Sequence, residues 1–516
     1  MNGRFLAGID VGTTGAKTGI FDLNGTLISS GYIEYTCSYP KPNWVEQDAK
    51  QLAKSALESA REAISKSDID PKRISSVSAS TQRTCSIFID KNGNPLRPMI
   101  SWQDNRTIKE VEEIDSKISP KEYYAITGLP SNTIWILSKI LWIQKNEPEK
   151  WKKVYKVIQL QDYILRELGA DDYFVDVSDA GLFGIWDTDN FKWSEKLLKL
   201  FNIDRDILPT PKPSGEIVGK ISVSTAEKTG FAAGTPICVG AGDQNSAVIG
   251  AGIVYDGYLS VSLGTGGIAI AYLDDKFRDP NEKTIVTNHA IYGKWQLEGY
   301  QAGAAGVFRW FRDEIASLEK VKAEESGKDV YRILDEMIEK TPVGAKGLVF
   351  LPYLASATSP RWNSNARGTL VGLTFANDKS CLARAFIEGI TLELKDIVRS
   401  MLDSGIDIKN IHIMGGPTKS GLWNQIQSDM YGRTVKTLKV TDAAVLGAAI
   451  LGGVGVGIFT DIRDGVSKMV KVDREYNPIK KNVEIYNELY DIYCRIYDGL
   501  ESRDVYKSIA KIQEKY

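Results

Sequence analysis

The sequence predicts an α/β protein of two large, similarly folded domains, and three observations carry that reading. Strand-like and helix-like segments alternate along the whole chain. A strand, glycine turn and second strand at Ile9-Asp-Val-Gly-Thr-Thr-Gly15 recur about half a chain later at Val261-Ser-Leu-Gly-Thr-Gly-Gly267. A chain of 516 residues suits two or three domains at roughly 100–200 residues each, and the repeat selects two, residues 1–250 and 251–516.

Taken in order, Phe5–Asp10 and Thr18–Asp22 read as strands around a Gly/Thr turn, and Asn24-Gly25 is a hairpin signal before a third strand over Leu27–Tyr35. Gln47–Lys66 carries helical spacing at Leu52, Ala56, Leu57 and Ala60. Ile74–Ser80 reads as a strand, and Ser86–Asp90 is expected to pair with it or to follow it through the Asn-Gly turn near Gly93. Residues 107–200 read as mostly helical, with Trp135, Trp142, Trp151 and Trp186 expected as core or groove wall. A Pro-rich stretch at Leu208–Ser214 leads into a glycine-dense block from Gly234 to Gly267. Strands are expected near Tyr258–Ile270, Ala290–Glu298 and Ile411–Met414, with helices from Gly303, over Cys381–Ser404 and after Gly415-Gly416. The tail beyond Asp473 is charged and reads as a solvated helical cap.

Composition excludes several classes. The 64 Lys+Arg and 66 Asp+Glu leave a net charge of −2, which provides no basic field for nucleic acid or an anionic membrane. Five cysteines are scattered without a CxxC pair, as expected in a reducing cytoplasm. No run approaches the roughly 18 apolar residues of a membrane span, and the start of the chain lacks the apolar core of a signal peptide. A soluble, cytoplasmic protein is expected. Glycine, at 46 residues, is in excess and clusters in a few turns.

Those turns carry the chemistry. In Asp10-Val-Gly12-Thr13-Thr14-Gly15-Ala-Lys17 the glycines let backbone N–H groups approach an anion, the Thr hydroxyls add donors, and Lys17 supplies a point charge for phosphate. Asp10, at the strand end, is placed to hold Mg²⁺ directly or through water. Without Asp10 and Lys17 the segment would read as an ordinary hairpin. Gly240-Ala-Gly242-Asp243-Gln244-Asn245 sets a carboxylate among small residues, as a helix cap or as a general base toward a substrate hydroxyl. Ile411–Ser420 is strand, Gly-Gly, helix; it suits an adenosine over the glycine backbone and equally a tight turn. Gln82-Arg83 and Trp102-Gln-Asp104 offer amide, guanidinium, carboxylate and indole groups for a polyhydroxylated ligand, or form a surface ionic cluster. His289 and His412, the only histidines, are too far apart in sequence and setting to build a metal site or a Ser-His-Asp triad. No Walker-type loop or protein-kinase glycine loop is present.

Together these motifs resemble the FGGY carbohydrate kinases. The resemblance rests on DVGTTGAK, WVEQD at Trp44–Asp48, Gly242-Asp243-Gln244, SLGTGG, Gly303-Ala-Ala-Gly306 before RWFRD, LPYL at Leu351–Leu354 and RGTLVGL at Arg367–Leu373. GGPTKSGLWNQIQSD and AAVLGAAILGGVGVG complete a collinear series over about residues 5–470. The resemblance implies two actin-like, ribonuclease-H-like ATPase domains flanking a central cleft, ATP and Mg²⁺ as cofactors, and phosphoryl transfer to a small sugar or polyol. It implies Asp243 as catalytic base, Asp10 as the magnesium-associated acid, and Gly12, Thr13, Thr14 and Lys17 in the first phosphate loop. Gly264, Thr265 and Gly266 match the second phosphate loop, while Gly306, Gly416 and Ser420 fall where the nucleotide is held. Gln82, Arg83, Trp102, Asp104, Asp243 and Gln244 are the expected acceptor-binding set. A homodimer is possible; neither nucleic acid nor membrane is an expected partner.

The acceptor set departs from known patterns. Thr84 stands where glycerol kinases carry an acidic residue, and Gln82-Arg83 replaces the Met-His pair of xylulose kinases. The segments RWFRD, RGTLVGL and SGLWNQIQSDMYG look more like xylulose-kinase-type members, whereas Ala355–Pro360 lacks the acidic and basic residues common there. A xylulose-kinase-like activity is expected, with glycerol, erythritol or autoinducer kinase as the alternative. An actin-like ATPase without a sugar substrate would share the hairpins but lack the Asp243 base and the polar, indole-bearing cluster.

Overall fold

A computed structural model of the chain describes residues 4–513 and 515. Two mixed sheets organise it. The first holds six strands in the order Ile217–Lys220, Pro236–Gly242, Ile74–Thr81, Phe5–Val11, Gly15–Asp22, Leu27–Glu34. The second holds seven, in the order Ile285–Asn288, Trp295–Gln301, Gly267–Leu273, Tyr258–Leu263, Asn410–Gly415, Val435–Leu438, Val472–Tyr476. The hairpin repeat read in the sequence extends to the whole sheet. In each, three neighbouring strands pair antiparallel, consecutive in the chain in the first sheet and with Ile285–Asn288 intervening in the second, and two later strands add in parallel beside the first of them. A helix covers each sheet: Ala49–Ser65, capped by Asp48, in the first, and the long Lys379–Asp403 in the second.

The halves exchange helices. Asp243–Gly250 leaves the first sheet and packs through Val248 among Ile270, Tyr272 and Met414 of the second. Ala443–Gly455 leaves the second sheet and packs against Leu6 and Phe21 of the first. The latter helix is apolar on every side, as a helix buried between layers must be. The two cross at backbone distance: a Cβ at Gly447 would lie 1.8 Å from the Ser246 carbonyl oxygen, and one at Gly250 would lie 1.9 Å from that of Ala443. Only glycine fits either position.

Several local expectations are corrected. Ile87–Ile89 pairs with Lys156–Ile158, not with the strand Ile74–Thr81. The strand expected at Ala290–Glu298 is two strands, Ile285–Asn288 and Trp295–Gln301, because Gly293 turns the chain at φ 78°. Residues 107–200 are helical with short strands between; Trp135, Trp142 and Trp186 are buried in their core and Trp151 packs at its edge. The tail is not a solvated cap. Helices Lys480–Glu501 and Val505–Gln513 bury Tyr486, Tyr493, Tyr497 and Tyr506 in the core of the second sheet. Each tyrosine finds a polar partner for its hydroxyl or lies against another ring, as buried phenols require, Tyr493 meeting Tyr353 and Tyr486 meeting Glu388. No helix among the described residues is long and apolar enough to cross a membrane.

Candidate active site

The register of the first sheet assembles residues that are far apart in sequence. Val11 lies beside Thr81, and Thr81 beside Gly242, at the carboxyl ends of three adjacent parallel strands. The residues that follow, Gly12-Thr13, Gln82-Arg83 and Asp243, therefore emerge together, where open α/β sheets bind ligands. In the second sheet Leu263 lies beside Gly415, and Gly267 beside Gln301. Gly264–Gly266, Gly416 and the segment leading to Gly306 thus share the corresponding edge.

Thr13 ties the first hairpin to the acceptor set. Its hydroxyl donates to Gln82 Oε1 at 3.2 Å and accepts from the Trp102 indole at 3.1 Å. Gln47 donates to the Thr13 carbonyl at 3.0 Å and accepts from Gln82 Nε2 at 2.8 Å. The turn closes through Gly12 N–H to the Gly15 carbonyl at 2.9 Å, the Tyr35 hydroxyl donates to the Gly12 carbonyl at 2.6 Å, and Thr14 is exposed.

Asp10 accepts from the Ser80 hydroxyl at 2.8 Å and lies opposite Lys17 in the hairpin register. Burial, then the charges of Asp243 and Asp442, push its pKa up to about 7 against the opposing effects of Ser80 and Lys17. Lys17 is not a free phosphate ligand: it donates to Asp442 at 2.6 Å. Asp442 immediately precedes the exchanged helix Ala443–Gly455.

Asp243 begins the other exchanged helix and accepts from the Gln244 N–H at 2.7 Å. Burial raises its pKa, and Arg83, whose Nε lies 3.3 Å from Oδ1, opposes the rise. The Arg83 fork is bidentate with Glu298 of the second sheet, at 2.9 and 2.8 Å. Arg83 also donates to Asn245 at 3.3 Å. The turn that presents it is held from behind. Thr84, at φ 57°, donates its N–H to Gln159, and its carbonyl accepts from the fully buried ammonium of Lys139 at 2.6 Å.

Asp104 is a correction to the acceptor set. Its carboxylate is fully buried and saturated by the Val45 N–H and by the backbone N–H and guanidinium of Arg106, which itself stacks on Trp44. It fixes the loop that carries Trp102 and has no free oxygen to offer an acceptor.

On the second sheet the hairpin tip closes through Gly264 N–H to Gly266, and Thr265 accepts from the N–H of Ala304 and of Gly306. A Cβ at Gly306 would lie 2.9 Å from the Thr265 carbonyl oxygen, so the two segments touch through backbone. Nothing stands within 4 Å of a Cβ at Gly416, which leaves its face open. Ser420 caps the helix Gly421–Tyr431 by accepting from Trp423 N–H at 3.1 Å.

Sequence reasoning missed Glu298, Asp442, Gln47, Lys139 and Gln159. Lys139 carries a legible signal, a charge inside the apolar run Ile136–Ile143; Gln47 lies within the WVEQD segment at Trp44–Asp48. Both histidines are structural: His412 Nδ1 bonds the Ala251 carbonyl, and His289 accepts from Ile291 N–H and is held neutral by burial, with its pKa lowered to about 3.

Comparison with known proteins places this geometry. Residues 5–250 match the N-terminal domain of the FGGY family of carbohydrate kinases, and residues 259–456 match its C-terminal domain. The chain is 31% identical over 512 residues to a gluconokinase of Bacillus subtilis (strain 168), covering 99% of this chain and 98% of that one. It is 29% identical over 492 residues to a xylulose kinase of Staphylococcus epidermidis, covering 95% and 96%. A ligand-bound xylulose kinase from Lactobacillus acidophilus superposes with a TM-score of 0.88 at 26% identity, over 96% of this chain and 98% of that one.

Proposed function

The chain belongs to the FGGY family of carbohydrate kinases, and from that membership and the site geometry we propose that it transfers the γ-phosphoryl group of ATP to a hydroxyl of a small sugar or polyol, with Asp243 as general base. The observation that carries the base assignment is position: Asp243 is a carboxylate at a strand's carboxyl end, beside Arg83 and next in register to the strand that bears the acceptor set. The acceptor oxygen forms a new bond to the γ-phosphorus as the bond to the β,γ-bridging oxygen breaks. The hydroxyl proton passes to Asp243, and ADP leaves with the electron pair.

Phosphoryl transfer asks mainly for positioning and charge stabilisation. In the two glycine turns Gly12–Thr14 and Gly264–Gly266, the N–H groups of Thr13, Thr14, Thr265 and Gly266 would cradle the phosphates; the backbone at Gly306 and Gly416 and the side chain of Ser420 would face the nucleoside, and Gln82, Trp102 and Gln244 the acceptor. Arg83 orients Asp243 and holds its pKa down. Lys17, paired to Asp442, positions the first hairpin against the exchanged helix.

The acids present fit a hydrated Mg²⁺. Asp10 is half-buried at the strand end with one bond, from Ser80, and the charges of Asp243 and Asp442 both reach it, so acidic oxygens converge there. Asp10 and phosphate oxygens would hold such an ion, with water completing its shell. When bound, such an ion neutralises phosphate charge.

For the acceptor, the relatives' names divide among gluconate, xylulose and autoinducer-2. Our reading is xylulose-kinase-like, a ketopentose or related polyol, with glycerol, erythritol or autoinducer as the alternative. ADP release measured against xylulose, ribulose, glycerol, erythritol and gluconate tests it. Turnover that depends on an added acceptor is expected; ATP binding with no turnover on any of them would refute the kinase reading.

A further inference from the structure

At the acceptor end of the site the Arg83 guanidinium meets a protein carboxylate on each of its two faces. Arg83 places both terminal nitrogens on Glu298, shares one of them with Asn245, and keeps Nε beside Asp243. A guanidinium recognises a carboxylate through two parallel N–H groups; here Glu298 occupies the terminal pair, and the other face, at Nε, is turned to Asp243. The neighbouring ammonium groups are committed as well. Lys139 is buried on the carbonyls of Thr84 and Ile134, and Lys17 is paired with Asp442.

The charge balance points the same way. Around Arg83 stand Asp243 and Glu298, two carboxylates against one guanidinium. A third carboxyl, Asp179, is fully buried against Gly242 and has no hydrogen-bond partner on either oxygen. Asn245 Nδ2 is likewise buried and unpartnered. A ligand carboxylate entering here would meet excess negative charge and no free cation, and its desolvation would go uncompensated. A neutral ligand brings hydroxyl groups that can both donate and accept, which suits the part-exposed carboxylate of Asp243.

We infer that the acceptor is an uncharged polyol or ketose, and that Glu298, by occupying the Arg83 fork, is the residue that excludes a sugar acid. This inference rests on the proposed kinase activity and narrows its substrate class.

Matched acceptors with a common carbon skeleton test it: D-glucitol against D-gluconate, and D-xylulose and xylitol against D-xylonate, with ADP release followed at saturating ATP and Mg²⁺. In the wild-type enzyme the best neutral acceptor should exceed the best acid by about 100-fold or more in kcat/KM, the scale on which an unpaired buried charge discriminates. Glu298→Gln, which keeps the side chain's shape and releases the guanidinium, should lower that ratio roughly tenfold or more. A wild-type enzyme that uses gluconate or xylonate as well as its neutral counterpart overturns the inference while leaving the kinase reading intact. No acceptor-dependent ADP from any compound refutes the kinase reading itself. If Glu298→Gln does not fold, the wild-type ratio alone decides.

Discussion

The Nε of Arg83 lies 3.3 Å from Oδ1 of Asp243, a charge contact made possible because Gly242 and Thr81 are neighbours in a parallel register. Burial raises the Asp243 pKa and Arg83 opposes it. A base works only when deprotonated, so removing the guanidinium should raise the pH at which activity fails on the acid side. Arg83→Gln is expected to move the acid limb of the kcat/KM profile upward by about one pH unit or more. An unmoved limb with reduced plateau activity would show that Arg83 serves binding alone.

Asp10, with its pKa near 7 against an ordinary 3.8, binds its proton more tightly in the folded chain than in the unfolded one. As pH rises from about 4 to about 7 the unfolded state loses this proton first, so stability falls across that window. Asp10→Asn removes the effect. Its stability advantage over wild type should grow from pH 5 to pH 8, up to about 4 kcal/mol. MgADP should stabilise the wild-type enzyme more at pH 8 than at pH 5 and Asp10→Asn less at either. Thermal melts that run parallel at both pH values would contradict this.

Lys139 holds the left-handed Thr84 turn through the Thr84 carbonyl, and burial lowers its pKa to about 8. Lys139→Met keeps the volume of the stem but leaves two carbonyls without a partner. The acceptor kcat/KM should fall by roughly tenfold, equal to about 1.4 kcal/mol, while the Kd for ATP stays unchanged. Equal losses for both ligands would mark a general destabilisation instead.

The exchanged helices cross at Gly447, where a Cβ would stand 1.8 Å from the Ser246 carbonyl oxygen. Backbone cannot yield as a flexible side chain can. Gly447→Ala should cost about 3 kcal/mol of stability, read by denaturant melts, with turnover falling because Asp243 heads the displaced helix. A wild-type melt would show that the crossing is looser than its geometry.

What was legible in the sequence was local. Glycine turns, the strand before Asp243 and the two hairpins are each encoded within a few residues, because turn chemistry is short-range. The partners of those turns were not. Glu298 meets Arg83 across 215 residues, and Asp442 meets Lys17 across 425, and only the packed sheets bring them together. Asp104 had the right chemistry beside Trp102 and still faces Arg106, since a side chain's direction depends on its fold. In the tail, charged residues masked a stripe of tyrosines whose burial depends on a sheet formed two hundred residues earlier.

Acceptor-dependent ADP release by Asp243→Asn tests the central claim most directly, with ATP affinity measured on the same preparation. The base assignment predicts ATP binding within a few-fold of wild type and a turnover reduced by about 10²–10⁴. Near-wild-type turnover in Asp243→Asn would contradict it.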